Sequence, residues 1–112
     1  MKSSLNQIRQ RGVAEGLKSK DRFELLAETF KALGDFSRLK IVWSLSKGEL
    51  NVGHITELLK MSQPAISHHL RTLRNLRLVK VRRHGRTLFY SLDDDHISTL
   101  LHEGIKHVED LL

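Results

Sequence analysis

The chain of 112 residues is long enough for one small domain, and its 39% hydrophobic and 29% charged residues are typical of a folded protein. The absence of cysteine excludes disulfides and thiolate metal sites. No apolar run approaches the ~20 residues that cross a bilayer, and the start of the chain has no hydrophobic targeting segment, so we expect a cytoplasmic protein without a membrane partner.

Charge is distributed unevenly along the chain, whose formal net charge is +6. Residues 62–92 contain seven Lys and Arg residues and no acid, whereas residues 93–112 contain six acids and one Lys. Because folded surfaces normally mix both signs, the acid-free stretch predicts contact with a polyanion such as DNA. An ordinary solvated surface is the alternative.

The N-terminal part of the chain predicts a series of helices. Residues 1–19 have weak hydrophobic periodicity, and we interpret them as a basic arm or frayed helix ahead of a domain of residues 20–112. An amphipathic helix follows and stops at Gly34. Asp35 and Asn51 are suited to cap the next two helices. In the first of these, the predicted buried stripe is Leu39, Val42 and Trp43.

The segment SQPAISHHLRTLRNL, residues 62–76, predicts the second helix of a helix-turn-helix. Ser62 is a good N-cap, and Pro64 is tolerated in a first turn whose amides lack acceptors within the helix. Apolar residues recur at 3–4 spacing on one face, and the opposite face is polar and basic. This pattern is typical of a DNA-recognition helix.

Two alternating segments, LVKVRR and TLFYSL, flank His84 and Gly85 and predict a β-hairpin, because glycine accepts the positive φ of a tight turn. Arginines at the tip of this hairpin, directly after a recognition helix, are typical of a wing. The predicted fold is therefore mainly α with a β-hairpin wing, a winged helix-turn-helix.

Side chains of the recognition helix and the wing are the candidate DNA contacts. Glutamine suits adenine edges and arginine suits guanine edges, while a helix N-terminus suits a phosphate. Specific binding usually needs two modules about 34 Å apart, so we expect a homodimer on double-stranded operator DNA. Adjacent histidines point about 100° apart, so His68 and His69 cannot both face the groove, and an ordinary surface role remains open for His68. The predicted contacts are Ser62, Gln63, Ser67, His68, Arg71, Arg83 and Arg86.

The acidic C-terminal segment, residues 93–111, predicts a last helix with a metal site. His96 and His107 share a helical face but lie roughly 16 Å apart along its axis, far beyond the reach of Zn–N bonds of about 2.0–2.1 Å. One ion joins both only if two such helices pack antiparallel in a dimer. Asp94 then accompanies His96, and Asp110 shares the face of His107. Two nitrogens and two oxygens suit Zn(II) or Co(II) and fit copper(I), arsenite or lead poorly.

A simpler interpretation of the same segment needs no metal. Acidic residues at a helix start complement the helix dipole, and Asp94 could serve only as an N-cap. His102 lies on another face and is expected to be an ordinary side chain. Spacing alone does not decide between a ligand and a cap at Asp94.

Together these motifs resemble the ArsR/SmtB family of winged-helix metal-sensing repressors. The resemblance covers about residues 26–112 and rests on the segments ETFKALGDFSRLKIVWSL, SQPAISHHLRTLRNLRLV and DDHISTLLHEGIKHVED. It implies a dimer built from the first and last helices, operator binding by the metal-free form, and release of DNA when zinc binds on the last helix. Co(II) and Ni(II) remain possible, because geometry rather than ligand identity separates these ions.

Within that family, the ligand pattern of this chain resembles the zinc- and cobalt-sensing branch. Asp94, His96 and His107 match its first three ligand positions. The fourth is commonly Glu or His, so the choice between Asp110 and Glu109 stays open. Other branches carry cysteines where this chain has Asn51 and Gly53. That second site therefore looks lost, although its neighbour His54 remains a possible weak ligand.

The mechanism needs a physical link between metal and DNA. Zinc weakens operator binding only if it prefers the conformation that does not bind DNA. We hypothesise that His107 binds the ion through one ring nitrogen and a backbone carbonyl near Asn75–Arg77 through the other. The alternative is a constitutive winged-helix repressor with a purely structural metal site. An enzyme is not expected, because four protein ligands leave a metallohydrolase no open coordination position.

Overall fold

A computed structural model describes the backbone of residues 2–112 and the side chains of residues 4–112. In this part of the chain the fold is mainly α with a β-hairpin wing, as predicted, and no helix is both long enough and apolar enough to span a membrane. The elements in chain order are α1 (Lys2–Leu17), α2 (Lys20–Leu33), α3 (Phe36–Leu45), β1 (Leu50–Asn51), α4 (Val52–Leu59), α5 (Gln63–Asn75), β2 (Val79–His84), β3 (Thr87–Leu92) and α6 (Asp95–Glu109).

Side-chain caps begin α3, α4 and α5 at the predicted residues. In each case a side-chain oxygen accepts the backbone N–H three positions later: Asp35 Oδ2 at 3.0 Å, Asn51 Oδ1 at 2.8 Å and Ser62 Oγ at 3.3 Å. Each bond satisfies one of the amides that a helix start leaves without an intrahelical partner. The three caps therefore fix where the chain enters the helices of the DNA-binding module.

The sheet is antiparallel, with strand order β1-β3-β2. Val79 lies opposite Leu92, and Val81 lies opposite Tyr90, which places these four residues on one face of the sheet. That face includes the buried Val79 and packs toward the helices. Gly85, at φ +63°, forms the predicted tight turn between β2 and β3.

The core lies where α3, α4 and α5 meet the start of β2. The predicted stripe of α3 was correct only at Val42, because Leu39 is 37% and Trp43 44% exposed in the single chain. Helix α3 is apolar around much of its circumference, so two sets of residues satisfy helical spacing, and packing against α4 and α5 selects the set centred on Ile41. The buried hydrophobic residues are Ala32, Ile41, Val42, Leu45, Ile55, Ile66, Leu70, Leu73, Leu78 and Val79.

Large apolar side chains remain exposed on the helices at both ends of the chain. All described side chains of α1 are exposed, and α6, which ends at Glu109 rather than at the predicted Leu111, has no fully buried residue. Between α2, α3 and α6 runs an open apolar groove of about 370 Å³. Its lining includes Phe30, Leu33, Leu39, Leu100, Leu101, Ile105 and Val108.

Candidate DNA interface and metal ligands

Helices α4 and α5 form a helix-turn-helix. Lys60 ends α4 in the left-handed conformation, at φ 55° and ψ 46°, so that the chain reverses within a short turn before the Ser62 cap. Ile55 of α4 and Ile66 of α5 are fully buried against the same core. Because these apolar faces are fixed, the opposite face of α5 is presented to solvent in one orientation.

The predicted DNA contacts of α5 lie on this outward face. Gln63, His68 and Arg71 are exposed, and Ser67 is half-buried. Within residues 4–112, neither Gln63 nor Arg71 has a side-chain hydrogen bond or an ion pair. Ser62 uses its hydroxyl oxygen as the cap and keeps its O–H as a donor. The structure thus brings together one exposed polar surface from the α5 residues that the sequence singled out.

His69 differs from its neighbour His68, as their relative angle requires. It is half-buried, and its Nδ1 lies 3.4 Å from Nη1 of Arg38, whose Nε donates to the carbonyl of Ala32 at 2.9 Å. The Arg38 amide holds the pKa of Asp35 below its usual value, and the Arg38 guanidinium and His69 lower it further. Sequence reasoning missed Arg38, which links the α2–α3 corner to the recognition helix.

The wing presents its cations in two different ways. Arg83 and Arg86 are exposed near the Gly85 turn and, within the described side chains, carry no ion pair. Arg82 instead donates to Glu49 through Nε at 2.8 Å and Nη2 at 2.7 Å. This hydrogen bonding lowers the pKa of Glu49 and raises that of Arg82, so both side chains stay charged. Glu49 could not be predicted as the partner of Arg82, because 33 residues separate the two along the chain.

The predicted metal ligands occupy the two ends of α6. Asp94 caps the helix, because its Oδ1 accepts from the amide of His96 at 2.9 Å, and the same oxygen lies 3.4 Å from His96 Nδ1. The second carboxylate oxygen of Asp94 is not needed for the cap. The His96 side chain is 93% exposed. The cap and the pairing of Asp94 with His96 therefore coexist.

His107, Glu109 and Asp110 lie exposed at the other end of this helix. Within the described residues of one chain, no three His, Asp or Glu side chains converge tightly enough to hold a metal ion. The separation follows from helix geometry, since eleven residues rise roughly 16 Å. A single chain therefore brings together Asp94 with His96 but does not bring His107 or Asp110 to them. No hydrogen bond joins His107 to Asn75–Arg77 among the described residues.

The other histidines near these elements have structural partners. His102 is half-buried and its Nδ1 lies 2.7 Å from the carbonyl of Ser98, which agrees with the ordinary role predicted for it. His54 accepts from the amide of Asn51 at 3.4 Å and thereby completes a reciprocal cap on α4. Its Nδ1 is thus committed to the helix start.

An exposed polar recognition helix, packed on a helix-turn-helix and followed by a cationic hairpin, defines a winged helix-turn-helix DNA-binding regulator. The profile of the arsR family of bacterial regulatory proteins matches residues 35–81. The chain is 42% identical over 106 residues to a transcriptional repressor SmtB homolog of Synechocystis sp., covering 95% of this chain and 79% of the relative. It is 48% identical to the regulator NmtR of Mycobacterium tuberculosis, covering 77% of this chain and 72% of NmtR.

Solved structures agree with this assignment. The solution structure of apo-NmtR superposes with a TM-score of 0.70 at 43% identity, covering 82% of this chain and 77% of that chain. A homodimeric winged helix-turn-helix domain of a possible ArsR-family regulator from Mycobacterium bovis superposes with a TM-score of 0.75 at 27% identity. The match covers 83% of this chain and 85% of that chain. The protein belongs to the ArsR family, which confirms the resemblance to ArsR/SmtB repressors, and it is a transcriptional regulator rather than an enzyme.

Proposed function

We propose that the protein is a dimeric cytoplasmic repressor that binds operator DNA when metal-free and releases it when zinc, or a similar divalent ion, binds between its last helices. The observation that carries this proposal is the distribution of ligands on α6. Asp94 and His96 lie at one end, and His107 and Asp110 lie at the other, too far away to join the same ion within one chain. Two antiparallel copies of α6 complete the set twice.

The dimer is supported by the unburied apolar surface of the single chain. The groove between α2, α3 and α6 opens beside the exposed Phe30 and Val108. A contiguous apolar surface of this kind marks an interaction site. Helix α1 also exposes apolar side chains, Leu5 and Ile8, which is consistent with a dimer formed through the first and last helices. One relative of solved structure is described as homodimeric.

A divalent ion accounts for the charge of the terminal helix. Residues 93–112 contain six acids and one Lys, so two such helices side by side repel each other. Zinc coordinated by two imidazoles and two carboxylates replaces that repulsion with bonds across the interface. The chain has no cysteine, so nitrogen and oxygen ligands are the ones it offers. Relatives include a homolog of the cadmium resistance regulator CadC from Staphylococcus aureus, 42% identical over 83 residues.

The proposed DNA contacts are Ser62, Gln63, Ser67, His68, Arg71, Arg83 and Arg86 of both copies. In each copy the α5 contacts are presented by a helix whose own buried face is fixed. The exposed wing arginines would contact the backbone or the minor groove of the DNA. Release follows if zinc favours a dimer in which the two recognition helices no longer match successive major grooves. The His107 bond to a carbonyl near Asn75–Arg77 would connect the ion to the end of α5 and would form only in the zinc-bound dimer.

The test begins with a duplex that the metal-free protein selects from a random-sequence pool. Zinc is then titrated into the complex with wild type, His96→Ala and His107→Ala, and with His102→Gln as a control on the same helix. We expect zinc to dissociate the wild-type and control complexes. We expect the two ligand variants to bind the duplex as wild type does but to keep it when zinc is added.

Three outcomes contradict parts of the proposal. If zinc binds to wild type with the expected ligands but the duplex stays bound, the protein is a constitutive repressor with a structural metal site. If His96→Ala and His107→Ala bind zinc as tightly as wild type, the site on α6 is wrong. A metal-free protein that selects no duplex contradicts operator binding itself.

A further inference from the structure

The wing of this protein contains one arginine, Arg82, whose charge is paired with an acid of the same chain. Arg82 forms a bidentate pair with Glu49, with Nε–Oε2 at 2.8 Å and Nη2–Oε1 at 2.7 Å. Its neighbours at the tip, Arg83 and Arg86, are exposed and, within the described side chains, have no such partner. Two parallel N–H···O bonds fix the orientation of a guanidinium as well as its position. Arg82 is therefore held in one orientation on Glu49.

This pair crosses the entire sheet on its outer face. Arg82 of β2 lies opposite Phe89 of β3, which in turn lies opposite Asn51 of β1. The Arg82 guanidinium carbon lies 4.8 Å from the centroid of the Phe89 ring, and the side chain then reaches Glu49, the residue before β1. The side chain of one edge strand thus passes over the central strand to the other edge.

The far end of this connection is the start of the helix-turn-helix. Asn51 is both the last residue of β1 and the N-cap of α4, and its cap is made reciprocal by His54. Glu49 lies two positions before that cap. Holding Arg82 on Glu49 therefore holds the wing against the first helix of the module that positions α5.

We infer that the Glu49–Arg82 pair sets the specificity of DNA binding by fixing the wing relative to the recognition helix and by withholding one cation from the phosphates. Arg82 is a positioning residue in this inference, and Glu49 determines specificity although it is an acid close to a DNA-binding surface. The inference rests on the proposed operator binding.

Two physical effects follow from removing the Glu49 charge. A released Arg82 gains access to the phosphates of DNA of any sequence. One additional phosphate contact steepens the salt slope of nonspecific binding by about 0.9. A wing that is no longer fixed does not keep a constant distance from α5. This weakens only the specific complex with the operator, because only that complex depends on the distance. Affinity for random DNA rises while affinity for the operator falls.

The experiment compares Glu49→Gln, Arg82→Gln and the double variant with Glu57→Gln, which removes an exposed acid of α4. Affinities for the selected duplex and for a random duplex are measured over a range of salt. We expect Glu49→Gln to lower the operator-to-random ratio roughly threefold, the scale of an exposed ion pair, and to steepen the random-duplex salt slope by about 0.9. Glu57→Gln should change both affinities alike and keep the ratio.

Arg82→Gln separates positioning from direct contact. If Arg82 acts through Glu49, the variant loses operator affinity, keeps the wild-type salt slope, and equals the double variant in its operator-to-random ratio. If Arg82 instead contacts a phosphate directly, the slope falls by about 0.9 and Glu49→Gln strengthens operator binding. That second result would overturn the inference.

A measurement without DNA keeps the inference separate from the proposed function. Hydrogen exchange of the β2 and β3 amides should speed up in both Glu49→Gln and Arg82→Gln and stay unchanged in Glu57→Gln. Unchanged wing amides in the first two variants would refute the inference even if operator binding is intact. Failure of the wild type to select any duplex would refute operator binding, whereas the exchange result would still report on the wing.

Discussion

Helices α5 and α6 are both amphipathic and similar in length, with 13 and 15 residues, but they bury their apolar faces differently. Helix α5 buries Ile66, Leu70 and Leu73 within its own chain. Helix α6 leaves all its side chains at least partly exposed and forms one wall of an open groove. The single chain therefore fixes the polar surface of α5. Helix α6 has an apolar face that one chain leaves open, and its proposed metal ligands would be completed only by a second copy.

Truncation of a buried leucine in α5 should give the largest effect. Leu70 is only 1% exposed, and Leu70→Ala should lower the free energy of unfolding by about 2–5 kcal/mol, the range for large-to-small substitutions in a core. Urea unfolding of the metal-free protein measures this change in the free energy of unfolding. Because Leu70 packs within its own chain, the loss should be the same at low and high protein concentration.

The matching substitution in α6 should act on association. Leu100→Ala removes an apolar side chain from the groove in both copies. Because Leu100 is 39% exposed in the single chain, association can bury only that fraction in each copy, and we expect the dimer to weaken by about 1–2 kcal/mol. Sedimentation at several concentrations measures the dissociation constant. Thr99→Ala is the control, since Thr99 is exposed and does not line the groove. An unchanged dimer in Leu100→Ala would place the interface elsewhere.

Arg71 tests the fixed surface of α5. Arg71→Gln should weaken operator binding by about 1–3 kcal/mol and relax sequence preference if Arg71 reaches a base edge. If Arg71 contacts only a phosphate, affinity should fall equally for all sequences and the salt slope should fall by about 0.9. The fraction of duplex bound is measured for point variants of the selected site. Lys106→Gln, on α6, is the control and should leave both quantities unchanged.

Asp35 tests the corner between α2 and α3. Asp35→Ala removes the cap of α3 and should destabilise the protein by about 1 kcal/mol near neutral pH. The folded pKa of Asp35 lies below its usual 3.8, so its charge contributes stability that is present above that value and is lost as the pH falls through the folded pKa. Asp35→Asn keeps a capping oxygen without the charge. The difference in free energy of unfolding between Asp35→Asn and Asp35→Ala should therefore stay constant when unfolding is measured over the same acid pH range.

The helix-turn-helix turn should give the smallest effect. Lys60 adopts a left-handed conformation, which costs a side-chain-bearing residue about 1 kcal/mol relative to glycine. Lys60→Gly should therefore raise the free energy of unfolding by no more than about 0.6 kcal/mol, after the larger entropy of an unfolded glycine is subtracted. Lys60→Ala makes the same charge change and keeps the Cβ. In thermal unfolding it should therefore show no comparable increase in stability.

Local patterns were sufficient for much of the fold. The caps at Asp35, Asn51 and Ser62 and the Gly85 turn were predictable because each depends on residues a few positions apart. The buried stripe of α3 was not, because its sequence is apolar on more than one face and only packing selects Ile41 over Trp43. The polar surface of α5 was predictable from periodicity.

Contacts between distant parts of the chain were beyond the reach of periodicity. Nothing in the spacing of Glu49 and Arg82, or of Arg38 and His69, indicates that they meet, since each pair is brought together by the packing of separate elements. The predicted ligands of α6 stay a prediction for a related reason. Their spacing rules out one ion within one helix, and completing the set requires a second chain.

By itself the sequence determined the caps that begin α3, α4 and α5, the wing, the polar face of the recognition helix and the concentration of acids and histidines in the last helix. These properties follow from residues that are close along the chain, where backbone periodicity converts spacing into direction. Only the tertiary structure decided which wing arginine is paired with an acid, which histidine faces solvent and which face of α3 is buried, because those outcomes depend on how separately formed elements pack.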